Sequence, residues 1–220
     1  MRLLVSVVAV CGAAVAAPAA SGEVECQGID NCTTVKGPWV AVQGKTQPDQ
    51  FQAFWTGVCP APDVSAGSDW ASNTPFGLEV YLLQASRIPI YGEDNSEIFV
   101  AENNNAQARS FQPLLGCVPD AAAPPRAAGG VRVARRVSSH RLEARSRAAF
   151  MHRCRRGERL VSSGSAVAFF EQRPPSARDL FGLSVRHRER GRGARVEVET
   201  GPRAGDDERV QLQVSLICRG

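Results

Sequence analysis

The sequence predicts an all-β protein made of two sandwich-like units, each closed by a disulfide. Several short runs alternate between apolar and polar residues, which is the period of a half-buried strand. Segments rich in glycine, asparagine and aspartate separate these runs and supply the chemistry of turns. No window of a dozen residues has a convincing helical period of apolar side chains. These three features favour antiparallel sheets packed face to face.

Alternation is clearest near the C-terminus, where the apolar residues Val210, Leu212, Val214 and Leu216 are separated by polar ones. The other predicted strands are 39–42, 78–83, 98–101, 166–170, Leu183 with Val185, and Val196 with Val198. A further strand is expected near 131–137, at the start of the second unit. The stretch 141–153 is the exception, since it is also compatible with one basic helix that has a thin apolar face.

The same landmarks occur twice along the chain and in the same order. The first set is Phe54, Cys59, Gly67-Ser68, Phe76-Gly77-Leu78-Glu79-Val80 and Cys117. The second set is Phe150, Cys154, Gly164-Ser165, Phe181-Gly182-Leu183-Ser184-Val185 and Cys218. An ordered set of matches is harder to obtain by chance than any single match, so we predict an internal duplication.

The N-terminal segment 1–20 has the three parts of a secretory signal. A positive charge at Arg2 precedes an uncharged apolar run, and small residues follow between Ala16 and Ala20. The run is shorter than the roughly 20 residues that a membrane span needs. Val10 stands before Cys11 where a lipidation signal requires a small residue. We therefore expect cleavage between Ala16 and Ala20, no transmembrane segment, and a secreted or cell-surface protein.

Removal of the signal leaves six cysteines, an even number that in an exported chain indicates a disulfide framework. The duplication selects the pairs Cys59–Cys117, Cys154–Cys218 and Cys26–Cys32 among the possible connectivities. Each long bridge closes a loop of about 60 residues, for which loop-closure entropy predicts roughly 4 kcal/mol of stabilisation. The chain lacks a Cys-x-x-Cys pair, and none of its three histidines has ligand-like spacing. We expect no metal and no cofactor.

Charge and composition divide the mature chain into an acidic and a basic domain. Residues 21–120 carry four basic and twelve acidic residues, a net charge of −8. Residues 131–220 follow a linker at 121–130 that is rich in proline, glycine and alanine. Together, residues 121–220 carry 21 arginines and ten acids, a net charge of +11. Opposite charges on two domains favour self-association between copies.

A candidate binding surface in the basic domain comprises Arg135, Arg136, Arg155 and Arg156. Clustered arginines attract an anionic envelope polymer, or the acidic half of another copy. The chain is exported and has no recognised nucleic-acid-binding module, so nucleic acid is not an expected partner. The alternative is that these arginines reflect the codons of a high-GC genome, and this alternative stays open.

Trp70 is a second candidate binding residue. Polar residues surround it and suggest a loop, from which an exposed indole would stack on a polysaccharide. The alternative is that tryptophans in the acidic domain fill its core. Evidence for catalysis is weaker, because Ser163-Gly164-Ser165 lacks the flanking glycines of a nucleophile elbow. We expect a non-catalytic protein, with a carbohydrate-binding module and then a secreted hydrolase as alternatives.

Two segments carry a resemblance to other proteins. One begins at Cys154, continues through Gly157-Glu158, Leu160-Val161 and Phe169, and closes at Cys218. The other combines Gly37-Pro38-Trp39-Val40 with Phe111-Gln112-Pro113-Leu114-Leu115-Gly116-Cys117. Both resemble exported proteins of high-GC bacteria that carry two disulfide-bounded β units and have no assigned activity. The resemblance implies export, two units and disulfides, and it transfers no functional residue. The function expected from the sequence is binding or organising a partner at the cell envelope.

Overall fold

The computed structural model describes residues 26–45, 52–73, 77–82, 95–119, 134–202 and 210–220. Within these ranges the chain forms thirteen β-strands and one helix of four residues, so the predicted all-β class is confirmed. No helix in this part of the chain has the length and hydropathy needed to cross a membrane. The predicted signal 1–20 and linker 121–130 lie outside the described residues.

The described part of the first half contributes seven strands: β1 (Thr33–Lys36), β2 (Trp39–Val42), β3 (Gln52–Val58), β4 (Asp63–Ser72), β5 (Leu78–Leu82), β6 (Ser96–Asn103) and β7 (Arg109–Pro119). The second half contributes β8 (Ala134–Arg141), β9 (Arg147–Arg153), β10 (Arg159–Phe169), the helix α1 (Ala177–Leu180), β11 (Ser184–Arg190), β12 (Gly193–Glu199) and β13 (Val210–Arg219).

These strands form one seven-stranded sheet and two three-stranded sheets, and every described pairing is antiparallel. The large sheet has the order β1–β7–β2–β10–β13–β8, and β4 pairs with the other side of β7. The small sheets have the orders β3–β6–β5 and β11–β12–β9. The large sheet therefore passes from the first half into the second where β2 pairs with β10.

The six strands β2 to β7 have the same connectivity as the six strands β8 to β13, and β1 is an additional strand of the first half. In the small sheets, β3 of the first half corresponds to β9 of the second, β6 corresponds to β12, and β5 corresponds to β11. Both sheets therefore have the same strand order. In the large sheet, β4 pairs with β7 as β10 pairs with β13. The register shifts near the start of both pairings, between Ser65 and Gly67 and between Leu160 and Ser162. The shared connectivity agrees with the repeated landmarks, and the duplication itself stays a prediction.

Both faces of the large sheet are covered where the halves meet. Val40 and Val42 of β2 pack with the β3–β6–β5 sheet, whereas Trp39 and Ala41 pack with the β11–β12–β9 sheet. Side chains of β10 divide between the same two layers. A strand that is buried on both faces is apolar throughout rather than alternating. This explains why β2 and the end of β10 are continuous apolar segments.

The strand β3 also joins the two halves. Gly164 of β10 lies in close contact with Phe54 of β3. The contact is so close that a Cβ atom added at Gly164 would overlap the Phe54 ring. The Gln213 amide accepts from the Thr56 N–H at 2.6 Å and donates to its carbonyl at 3.2 Å. The hydroxyls of Thr56 and Ser215 are 3.0 Å apart. Among the described strands β3 lies at the edge of its sheet, and Gln213 takes the hydrogen-bonding position that a neighbouring strand would occupy. Whether the halves fold separately, as domains 21–120 and 131–220, remains a prediction.

All three predicted disulfides are present: Cys26–Cys32, Cys59–Cys117 and Cys154–Cys218. Cys117 and Cys218 belong to the last strand of their halves, whereas Cys59 and Cys154 directly follow β3 and β9. Each long bridge therefore ties a three-stranded sheet to the large sheet.

Two local expectations are wrong. The stretch 141–153 is not a helix, because β8 ends at Arg141 and β9 occupies Arg147–Arg153. Alternate residues of β9 face the core, which is the period of a strand. Trp70 lies in β4 rather than in a loop. In the described structure β4 pairs only with β7, so β4 is an edge strand of the large sheet. An edge strand tolerates polar residues, which explains why the polar residues around Trp70 suggested a loop.

Candidate functional site

The outer side of the β9–β12–β11 sheet carries a dense group of exposed arginines. Ala194, Val196 and Val198 of the central strand are buried against the core. Side chains alternate along a strand, so the intervening residues point to solvent. The exposed arginines on this side are Arg147, Arg153, Arg186, Arg188, Arg190 and Arg195. We call this surface the arginine face.

Two glutamates, Glu197 and Glu199 of β12, share the arginine face. Glu197 accepts a hydrogen bond from Arg195 Nε at 2.9 Å, and both side chains remain partly exposed. An ion pair between exposed groups contributes little to stability. Six arginines and two glutamates leave a net charge of +4 on one side of a three-stranded sheet.

Like charges lie close together at one end of the arginine face. Arg188 is directly opposite Arg195 in the antiparallel register. In the next row, Arg190 and Arg153 flank Gly193 from the two neighbouring strands. Like charges in opposite positions weaken the pairing of strands. A bound anion would relieve this repulsion, so this end of the face is suited to an anionic partner.

Two of the four predicted arginines adjoin the same end of the sheet. Arg155 and Arg156 are exposed in the turn that follows β9. The Arg192 side chain, in the turn between β11 and β12, donates to the main-chain carbonyl of Arg155 at 3.1 Å. The two turns are therefore neighbours, and they extend the basic surface beyond Arg190 and Arg153.

Arg135, the third predicted arginine, is buried between the halves. It is 9% exposed and donates a hydrogen bond to the Ser96 hydroxyl of β6. Burial raises the pKa of the neighbouring Glu97 carboxyl, and the positive charge of Arg135 partly offsets that effect. The guanidinium therefore contacts the protein's own polar groups.

Arg136, the fourth, points to the other side of β8 and forms two hydrogen bonds with Glu158. These hydrogen bonds lower the pKa of the Glu158 carboxyl. The predicted set of four arginines is thus divided by the fold. Arg135 and Arg136 engage internal partners, and Arg155 and Arg156 adjoin the arginine face.

Trp70 is half-buried and packs against the core of the first half. Trp39 and Trp55 are buried, so neither presents an open ring face to solvent. The predicted use of Trp70 in sugar binding would therefore depend on the exposed part of a single indole.

A chain of polar contacts links β10 to β11. His187 contacts the Ser163 hydroxyl through Nε2 at 2.7 Å and the Ser165 hydroxyl through Nδ1 at 3.1 Å. Ser163 also donates to Glu189 at 2.9 Å. Burial lowers the pKa of His187, and the charge of Glu189 partly offsets this. In a serine–histidine–acid triad the acid orients the imidazole. Here Glu189 contacts the serine instead, so the geometry is that of a polar bridge between sheets.

One grouping of potential metal ligands occurs among the described residues, and it combines Glu158 with Cys154 and Cys218. The two sulfurs are bonded to each other. They therefore cannot act as thiolate ligands. The expectation of no metal and no cofactor stays a prediction for the chain as a whole.

Sequence reasoning missed the arginine face as a surface. Its signal is present in β11, where Arg186, Arg188 and Arg190 alternate with His187 and Glu189. The alternation places the three arginines on one side of a strand. Their alignment with Arg195 and Arg153 depends on the pairing of β11, β12 and β9, which the sequence does not reveal.

No protein-family model matches the chain, and no curated protein or solved structure matches it. A functional interpretation therefore depends on the geometry of the chain itself.

Proposed function

We propose that this protein is exported and binds an anionic polymer of the cell envelope through the arginine face, without catalysis. The observation that carries the proposal is the placement of six exposed arginines and two glutamates on one side of a single sheet. A concentrated positive charge of this kind attracts polyanions from a distance. Guanidinium groups then bind carboxylates or phosphates through paired hydrogen bonds.

Strand geometry favours a linear polymer over a single small anion. Alternate residues of a strand are about 6.8 Å apart, and neighbouring strands are about 4.8 Å apart. Arg186, Arg188 and Arg190 therefore form a row along β11. Arg195 and Arg153 continue the positive surface across the neighbouring strands. A polymer with repeated negative charges can contact several of these side chains at once.

Export is supported by two features of the chain. The N-terminal segment has the charge, apolar run and small residues of a secretory signal. The three disulfides are typical of proteins that fold in an oxidising compartment. Envelope polymers that carry carboxylates or phosphates are the polyanions that such a protein would meet.

The test is retention of the mature chain on immobilised polyglutamate and polyphosphate during a salt gradient. The test variant is Arg188→Gln with Arg190→Gln. A matched control, Arg173→Gln with Arg178→Gln, removes the same charge from exposed positions outside the arginine face. We expect the test variant to elute at clearly lower salt than the wild type and the control. High salt should elute all three proteins, because dissolved ions screen the attraction between the arginines and the polymer. The Debye length falls from about 10 Å at 0.1 M salt to about 3 Å at 1 M.

Equal retention of the three proteins would reject the arginine face and favour genome composition as the source of the arginines. Retention on a neutral polysaccharide that Trp70→Ala abolishes would support the carbohydrate-binding alternative. A salt-sensitive increase in molecular mass without added polymer would indicate association between the acidic and basic halves of two copies. Turnover of generic ester, glycoside or peptide substrates would support a secreted hydrolase.

A further inference from the structure

A pocket of about 310 Å³ lies between the two halves of the molecule. The first half lines it with parts of β1, β3 and β7, and the second half lines it with parts of β8 and β13 and with Phe170. Binding sites for small molecules typically measure roughly 300–1,000 Å³. The pocket therefore has room for a compact organic molecule.

The walls of the pocket are largely apolar. Trp55 and Phe170 meet edge to face, with ring centroids 6.3 Å apart and planes inclined at 65°. Phe170 is 42% exposed and Val58 is 50% exposed, and both line the pocket. Exposed apolar side chains that converge on a cavity indicate a site where an apolar group of another molecule binds.

Three polar side chains in the lining are unpaired within the part of the chain that the structure describes. Lys36, Ser139 and Gln211 make no hydrogen bond or ion pair with any described residue. In contrast, Gln213 and Thr56 satisfy each other. The described part of the lining contains no aspartate or glutamate. The pocket thus offers one cation, one hydroxyl and one amide beside its apolar walls.

We propose that this pocket binds a small molecule with an apolar body and one acidic group. The apolar body would lie against the exposed side chains of Phe170 and Val58, and the acidic group would lie toward Lys36. Ser139 and Gln211 would accept or donate the remaining hydrogen bonds. This site is independent of the arginine face. Because both halves form its walls, its ligand would also raise the stability of the whole chain.

Two fluorescent probes test the proposal on the full oxidised chain. 1-Anilinonaphthalene-8-sulfonate has an aromatic body with an acidic group, and N-phenyl-1-naphthylamine has a similar body without charge. We expect each probe to bind with a stoichiometry of one. Lys36→Gln should weaken the binding of the sulfonate roughly five-fold, as expected for a partly exposed ion pair. The same substitution should leave the affinity of the neutral probe unchanged.

Ser139→Trp should fill the pocket and abolish the binding of both probes, and Phe170→Ala should weaken both by removing a wall. Ala149→Trp, an exposed position on the outer side of β9, is the matched control and should bind both probes normally. Absence of binding to the wild type, or equal binding by Ser139→Trp and Ala149→Trp, would overturn the proposal. Loss of sulfonate binding only in the Arg188→Gln, Arg190→Gln protein would place that probe on the arginine face, and would also overturn it.

Discussion

The side-chain amide of Gln213 hydrogen-bonds both main-chain groups of Thr56, 157 residues away in the chain. Thr56 lies in the edge strand β3 of the first half, and Gln213 lies in β13 of the second. Both residues are buried, with exposures of 2% and 5%. A buried strand edge needs a partner for its polar groups. One side chain supplies that partner from the opposite half of the molecule.

We expect Gln213→Leu to lower the free energy of unfolding by about 2–4 kcal/mol, because it leaves the Thr56 N–H and carbonyl buried without a partner. Urea denaturation measures the effect. The control is Gln211→Leu, two residues away on the same side of β13, where the amide has no partner among the described residues. This control should change stability by less than about 0.5 kcal/mol. Equal effects of the two substitutions would show that the contact with Thr56 contributes nothing.

The contact between β3 and β10 should be intolerant of any side chain at residue 164. Gly164→Ala places a methyl group into the Phe54 ring and should cost about 1–3 kcal/mol. Phe54→Ala removes the ring and should be destabilising by itself. In the double variant the overlap is gone, so its loss of stability should be smaller than the sum of the two single losses. Strict additivity would contradict this packing.

Removal of different disulfides should have graded effects. Cys154 and Cys218 close a separation of 64 residues, and their replacement by alanine should cost roughly 4 kcal/mol. Cys26 and Cys32 are only six residues apart, so their replacement should cost about 2 kcal/mol on the same entropic basis. Thermal denaturation of the two double variants measures which of them loses more stability relative to the wild type. A larger loss for the short bridge would exclude loop closure as the main source of stabilisation.

Stability should decrease as the pH falls below about 6.5, the ordinary pKa of histidine. Burial lowers the pKa of His152, and the neighbouring His140 lowers it further; burial also lowers the pKa of His187. Below pH 6.5 the unfolded chain therefore binds more protons than the folded chain, and protonation favours unfolding. Glu97 acts in the opposite sense, because its pKa is raised by burial.

The pH prediction is tested by urea midpoints at pH 7.5 and 5.5. The variant His152→Gln, His187→Gln should show a smaller decrease between these pH values than the wild type, whatever its absolute stability. Identical pH dependence of the two proteins would mean that neither histidine is responsible.

The two halves should unfold in one transition. They share the β2–β10 pairing and the buried contacts of Thr56 with Gln213 and Ser215. Separation would expose these groups, so the intact chain should give a single calorimetric peak with equal calorimetric and van't Hoff enthalpies. Two resolved peaks would instead support the separable domains that the linker composition predicts.

Features that depend on local periodicity were predictable. The strands β2, β12 and β13 were predicted from short-range patterns, and the disulfides from repeated landmarks around the cysteines. Strands β3 and β7 were not predicted. Gln52–Val58 contributes side chains to two hydrophobic clusters, and Arg109–Pro119 is buried on both of its faces, so neither strand alternates cleanly between apolar and polar residues.

The sequence by itself determined the all-β class and the three disulfide pairs, because strand period and cysteine order are properties of the chain. Only the tertiary structure decided which arginines are available. Arg135 and Arg136 are adjacent in sequence, yet the pleat of β8 turns one into the interface between halves and the other toward Glu158. The arginine face likewise exists because β9, β12 and β11 align side by side. Exposure and alignment depend on which strands meet, and those contacts join residues that are far apart in the chain.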